Sequence, residues 1–168
     1  MIRLFSNCSS LISIDISSFD TSFVTSMGSM FFNCSSLTSI DVSRFDTSYV
    51  YSMDKMFFNC ISLTSIDVSR FDTSNIKSLK NMFESFKSLS SIDLSNFDIE
   101  NVLDIDYMLY DCPSLKYIDI SSFSTTLNEI DLTDFKSKDG FLIITEDFYD
   151  KLKVNPSEGW NVEKITNN

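Results

Sequence analysis

Apolar and polar positions along this chain change their period twice within every two dozen or so residues. In the stretch Leu63-Thr-Ser-Ile-Asp-Val-Ser, Ile66 and Val68 alternate with Ser65, Asp67 and Ser69. That is the two-residue period of a strand with one buried face. Further on, Ile76, Leu79, Met82, Phe83 and Phe86 fall at offsets of 3, 6, 7 and 10 from the first, one stripe of a helix. The corresponding earlier set is Val50, Met53, Met56, Phe57 and Cys60. Between the two patterns stands Asp-Thr-Ser, three residue types that bond their own backbone and start helices. The pattern predicts strand, turn, short helix and return.

The whole pattern then recurs. FFNCSSLTSIDVSRFDTS starts at Phe31 and returns from Phe57 with one substitution. Cys8, Cys34 and Cys60 are spaced by 26, and the same step leads on to Phe86 and Cys112. Leu11, Leu37, Leu63, Leu89 and Leu115 form one column. Ile14, Ile40, Ile66, Ile92 and Ile118 form another, and Phe19, Phe45, Phe71, Phe97 and Phe123 a third. A single unit cannot bury its apolar side alone, so a strict period of this length predicts stacked coils in which like columns pack on like. Residues 1–127 hold about five coils, the first partial and uncapped.

The spacing Leu-x-x-Ile-x-Val-x-x-Phe is a variant of the leucine-rich repeat pattern, and the period lies in that family's range. More narrowly, Met-Phe-x-x-Cys-x-Ser-Leu-x-Ser-Ile-Asp-x-Ser-x-Phe-Asp-Thr-Ser resembles the BspA-like leucine-rich repeats over residues 1–127. The resemblance implies an α/β solenoid, a right-handed stack with a parallel sheet on one side and short helices on the other. It also implies adhesion, because such proteins occur on bacterial and some protist surfaces and are associated with binding host or matrix proteins.

Past Leu127 the pattern breaks. FLIIT from Phe141 restarts a strand, with Ile144 in the isoleucine column, and residues 146–154 read as an amphipathic helix capped by Thr145. Asn155-Pro156 and Glu158-Gly159 end it and leave Trp160 to pack back. A divergent, more charged terminal unit is what a repeat stack needs to close its core, so residues 128–168 are expected to form a C-terminal cap.

Composition narrows the partners. With 24 acidic and 13 basic residues, no histidine and a net charge of −11, the chain is a poor match for nucleic acid or anionic membrane. No apolar run is long enough to span a bilayer. The start, MIRLFSNCSSL, does not read as a signal peptide, because Leu4, Phe5 and Cys8 already stand in repeat register. The chain is therefore expected to be cytosolic or a fragment of a longer array. Stacked cysteines would point their Cβ vectors in parallel, so small buried thiols are expected rather than disulfides. The chain has neither histidine nor Cys-x-x-Cys, so no metal site built on the cysteines is expected. Asn7-Cys-Ser and Asn33-Cys-Ser match the glycosylation acceptor pattern, which counts only if a eukaryote secretes the chain.

Two sets of residues are candidates for partner binding. Asp15, Asp41, Asp67, Asp93 and Asp119 would form a carboxylate ladder on the open sheet face, flanked by serines. Neighbouring like charges about 4.8 Å apart repel by roughly 1 kcal/mol per pair in water, so hydroxyls, cations or a basic partner should compensate. The ladder reads as a hydrated face that blocks aggregation, as a docking surface for a basic or hydroxyl-rich ligand, or as a calcium site. The second set is aromatic: Tyr51 and Phe58 lie opposite the buried helical stripe, Phe32 stacks on Phe58 by the repeat, and Tyr110 shares their column with Glu84 interrupting. They read either as a contact row or as rings tucked against the next coil. A second acidic column, Asp20, Asp46, Asp72 and Asp98, reads as turn caps.

An enzyme is not expected. No Ser-His or Cys-His pair exists, three glycines cannot build a phosphate loop, and no cofactor is implied. The periodicity alone predicts an extended surface; the resemblance implies a module that presents that rigid repeat surface to a protein or glycan at a cell surface. The alternative is a structural spacer or a scaffold segment that self-associates end to end through its first coil.

Overall fold

The computed structural model of the chain describes residues 1–124, 139–151 and 160–166. Parts of the expected cap, residues 128–138, 152–159 and 167–168, lie outside the described residues, as does most of the C-terminal half of the expected 146–154 helix.

Residues one repeat apart are neighbours throughout the first four units. Phe5, Phe31, Phe57 and Phe83 stack ring on ring, with centroids 5.4, 5.5 and 6.0 Å apart. Phe31, Phe57 and Phe83 are fully buried, as are Met30, Met56, Met82 and Met108. Burying each such phenylalanine contributes about 1.5–3 kcal/mol. The leucine, methionine, phenylalanine and cysteine columns merge into one core running the length of the described units.

The segments of the repeat units expected to be helices are not helices. Each is a ribbon of tight turns in which alternate backbone N–H groups point along different directions. The N–H groups of Met27, Ser29, Phe31 and Asn33 donate to the carbonyls of Ser52, Asp54, Met56 and Phe58 in the next unit. Those of Met30, Phe32 and Cys34 donate to the residue three back in their own unit. Two columns of left-handed residues make this path: Arg3, Ser29, Lys55, Asn81 and Tyr107, with φ of 55–59°, and Asn7, Asn33, Asn59, Ser85 and Asp111, with φ of 58–64°. A left-handed L-residue every four positions interrupts any α-helix. The apolar stripe is nevertheless buried as the spacing requires, because the ribbon also returns residues at offsets of three and four to one face. Met53, Met56, Phe57 and Cys60 are all fully buried.

The strand side forms regular pairing only late in the chain. Residues 12–17, 38–43 and 64–69 carry no regular strand, although Thr38 N–H donates to the Ile12 carbonyl. Their isoleucines Ile14, Ile40 and Ile66 are only half buried. From the fourth unit, β1 (Ser91–Asp93), β2 (Tyr117–Ile120), β3 (Phe141–Thr145) and β4 (Asn161–Ile165) form a four-stranded parallel sheet in chain order. Here Ile92 and Ile118 are buried. The β1–β2 register follows the repeat, with Ile92 opposite Ile118. The β2–β3 register does not: Leu142, not Ile144, lies opposite Ile118, and Ile144 faces Ile120. The inter-strand connection is two residues shorter than a repeat, so the isoleucine column passes to Leu142.

One short helix follows directly, α1 (Glu146–Tyr149). Thr145 stands at its N-cap but makes no capping bond. Its buried hydroxyl donates instead to the Phe123 carbonyl at 2.8 Å, tying the last strands to the repeat core. Trp160 packs on that core, across Gly140, where an added Cβ would fall 2.4 Å from the indole.

Candidate functional site

The aspartate ladder is locally satisfied. Asp15, Asp41, Asp67 and Asp93 each accept the N–H of the serine two residues on at 2.9 Å, and Asp119 does so at 3.0 Å. Hydroxyl and N–H donation from the serine two residues on holds the carboxyls of Asp15, Asp41 and Asp67 below the usual aspartate range, against slight desolvation at all three and the neighbouring carboxylate at Asp41 and Asp67. Arg44 adds attraction at Asp15 and Asp41, as Arg70 does at Asp67. All but Asp119 are exposed. Among the described residues, no group of three or more potential ligands converges to hold a metal ion.

The second acidic column makes the expected turn caps. Asp20, Asp46 and Asp72 each accept both the N–H, at 3.0 Å, and the hydroxyl, at 2.6 Å, of the following serine. Asp98 accepts the Glu100 N–H.

Two polar ladders escaped the sequence reading. Thr21, Thr47 and Thr73 are buried. Thr21 and Thr73 each donate to one backbone carbonyl of the next unit and accept the N–H of that same residue, Asp46 and Asp98. Thr47 donates to the Asp72 carbonyl. Asn59 Nδ2 donates to Asn33 Oδ1 at 2.6 Å, and Asn33 Nδ2 to Asn7 Oδ1 at 3.1 Å. Both ladders were visible only as polar columns conserved in spacing; that one was buried and the other left-handed required the fold. The thiols form a third inter-unit bond: Cys34, Cys60 and Cys112 donate to the Phe5, Phe31 and Phe83 carbonyls. All four cysteines are free, and burial pushes Cys34 up to about 11 and Cys112 to about 12.

The aromatic candidates divide. Phe32 and Phe58 stack face to face, 4.9 Å between centroids with an 8° tilt, and both are half buried on the outer side of the turn ribbon. Lys55 Nζ lies 6.0 Å from the Phe58 ring. Glu84 interrupts the column; burial raises its pKa, and Asn81 Nδ2 donates to it. Tyr110 is half buried and packs edge-on to Tyr107, 5.4 Å away. Tyr51 stands apart from the Phe32–Phe58 pair, exposed on another column.

Two further exposed rings, one of them two residues before Tyr51, escaped the sequence reading. Phe23 is 88 % exposed and Tyr49 67 %, and they occupy the same repeat column. In the next two units that column holds Asn75 and Asn101, whose amides donate to the Ser48 and Ser74 carbonyls of the preceding unit. The position has a structural use, which Phe23 and Tyr49 do not serve.

A cavity of about 350 Å³ opens beside the Phe32–Phe58 pair, lined by Arg3, Ser6, Asn7, Ser29, Phe32 and Lys55.

A repeated turn-and-strand unit with self-satisfied polar ladders and exposed aromatics defines a repeat protein with a parallel sheet. The chain belongs to the family described as Mycoplasma protein of unknown function, DUF285, whose model matches residues 1–123. Neither a curated protein nor a solved structure matches it.

Proposed function

We propose that this chain is a non-enzymatic interaction module, a solenoid of BspA-like leucine-rich repeats that presents a rigid surface to a protein or glycan partner at a cell surface. The observation that carries the proposal is the Phe23–Tyr49 column with its neighbour Tyr51. Large aromatic rings stand exposed to 88 % and 67 % in a column where asparagine, in sister units, bonds the preceding unit. Exposed aromatics of this kind are typical anchors of protein contacts. The net charge of −11 supports a partner other than nucleic acid or an anionic bilayer. Among the described residues, no helix is long and apolar enough to cross a membrane.

The test is solid-phase binding of the purified chain to extracellular-matrix proteins and to a glycan panel. The double substitution Phe23→Ser, Tyr49→Ser is expected to weaken whatever binding is found by about tenfold or more, at unchanged melting temperature. Undiminished binding by that variant and by one with Asp67 reversed to Lys would remove both surfaces from the proposal.

A spacer or end-to-end scaffold is the competing reading, favoured by the exposure of Leu4, whose repeat counterparts Met30 and Met56 are fully buried. Concentration-dependent association abolished by Leu4→Ser, with no partner bound, would establish it instead.

A further inference from the structure

We propose that the cavity between Ser6 and Phe32 is a binding site for a carboxylate-bearing sugar ring. The inference deepens the reading of the chain as a binding module and supplies a ligand class for one of its faces.

The cavity results from an incomplete column. Phe32 and Phe58 stack face to face, and the next position of that column, one unit earlier, is Ser6. A hydroxymethyl group therefore stands where a ring would continue the stack, and the second face of Phe32 opens into a cavity of about 350 Å³. That volume is at the small end of ligand sites and suits one or two rings rather than an extended chain. The negative face of an aromatic ring favours the polarised C–H groups on one face of a pyranose.

The polar lining selects further. Arg3 and Lys55 both border the cavity, in a chain with net charge −11. The ion pairs seen among the described residues are Lys80–Asp104 and Lys87–Asp111, neither of which involves Arg3 or Lys55; Lys55 is partly compensated by Glu84, so Arg3 is the main carboxylate partner. A guanidinium recognises a carboxylate through paired, charge-assisted hydrogen bonds. The Ser6 and Ser29 hydroxyls line the cavity as donors and acceptors, as sugar hydroxyls require; Asn7 spends one amide hydrogen on Ser6 Oγ and accepts from Asn33, which leaves its second amide hydrogen for a ligand. A nucleotide suits the lining less well. Phosphates are best held by free backbone N–H groups, whereas the N–H groups of Arg3, Asn7 and Ser29 already donate to Gly28, Phe32 and Asp54. An acidic peptide side chain would leave the open face of Phe32 uncovered.

The experiment is an NMR titration of the full chain, following the Phe32 ring and Asn7 side-chain amide. The probes are methyl β-D-glucuronide, neutral methyl β-D-glucoside, AMP and a tetraglutamate peptide. The glucuronide is expected to shift both groups, and the glucoside to bind about tenfold more weakly or worse for want of the charged contact. Arg3→Asn keeps a residue that tolerates the left-handed backbone and should weaken the glucuronide by about tenfold or more. Ser6→Phe completes the ring column and should abolish binding without lowering the melting temperature. Equal binding of glucoside and glucuronide, tighter binding of AMP or peptide, or no shift with any probe would overturn the proposal, as would full affinity in Ser6→Phe. Phe23→Ser, Tyr49→Ser should leave the glucuronide titration unchanged. Loss of the sugar site with partner binding intact would thus sink this inference and spare the module reading.

Discussion

The hydroxyl of Thr73 has two partners on one residue of the next unit, donating to the Asp98 carbonyl at 2.9 Å and accepting its N–H at 2.8 Å. Thr73→Val preserves shape and removes both bonds, leaving a buried donor and acceptor without partners. The expected loss is about 2–4 kcal/mol, read from the midpoint of urea unfolding. The unit after it already has Ile99 in that column, so the ladder ends where an apolar side chain takes over. The exposed aspartates act through pH. Asp15, Asp41 and Asp67 have folded pKa values depressed by serine donors. Their contribution is fully present above the unfolded aspartate value, near 4, and is lost as pH falls through the lower folded values. Thermal melts should therefore show stability roughly level from neutral pH to about 5 and declining below about 4. Ser43→Ala combined with Ser69→Ala should flatten that decline. Glu84 behaves in the opposite sense. Burial raises its pKa, so its charged form weakens the fold at neutral pH, and the penalty is relieved as pH falls through the raised value. Glu84→Gln keeps an acceptor for Asn81 and is expected to raise the melting temperature at pH 7 by up to about 2 °C, with the difference from wild type vanishing in acid.

At the scale of the element, the turn ribbon explains why the helical reading failed while its buried face was right. The offsets of Ile76, Leu79, Met82, Phe83 and Phe86 specify which residues lie inside, and all five are fully buried. They do not specify how the backbone connects them. What decides that is the pair of left-handed positions per unit, and only half of these are residue types known for that conformation. Asn7, Asn33, Asn59, Asn81 and Asp111 are; Arg3, Ser29, Lys55, Ser85 and Tyr107 are not. The latter adopt it because alternate N–H groups gain bonds to the next unit, which a single sequence window cannot reveal. Asn59 separates the two contributions. Asn59→Gly keeps the left-handed backbone accessible and loses the amide bond to Asn33, for an expected cost of about 0.5–1.5 kcal/mol. Asn59→Val places a β-branched residue at φ 58° as well, adding about 1–3 kcal/mol. Equal destabilisation in urea unfolding would mean that backbone strain contributes nothing there. Thr145 gives the same lesson in miniature: its position before α1 was legible, but its hydroxyl goes to Phe123 because that carbonyl, one strand away, is the buried acceptor in reach.

For the whole molecule, the period is the governing length. Excising one repeat, residues 46–71, should leave a chain that folds cooperatively, because the join sets Phe45 beside Asp72 in unbroken register. Its denaturant slope should fall by about 15 %, in proportion to the surface removed. Excising 24 residues from the same place should shift every column by two positions relative to its neighbour and abolish the cooperative transition, as followed by circular dichroism. Recovery of wild-type cooperativity in the shorter-deletion variant would contradict stacking by register.

The sequence by itself determined most of the core, which residues neighbour one another across the repeat units, and where the turns fall. Each of these follows from a repeated pattern of polarity, and polarity acts through burial, which needs no knowledge of backbone path. Tertiary structure decided the ribbon in place of helices, the late start of the sheet at Ser91, and the pairing of Ile118 with Leu142. It alone placed the threonine hydroxyls in the core, left Phe23 and Tyr49 uncovered, and opened the cavity at Ser6. These depend on which backbone groups find partners in the adjacent unit and on which rings are missing from a stack. Such facts come into being only when units 26 residues apart in the chain are brought into contact.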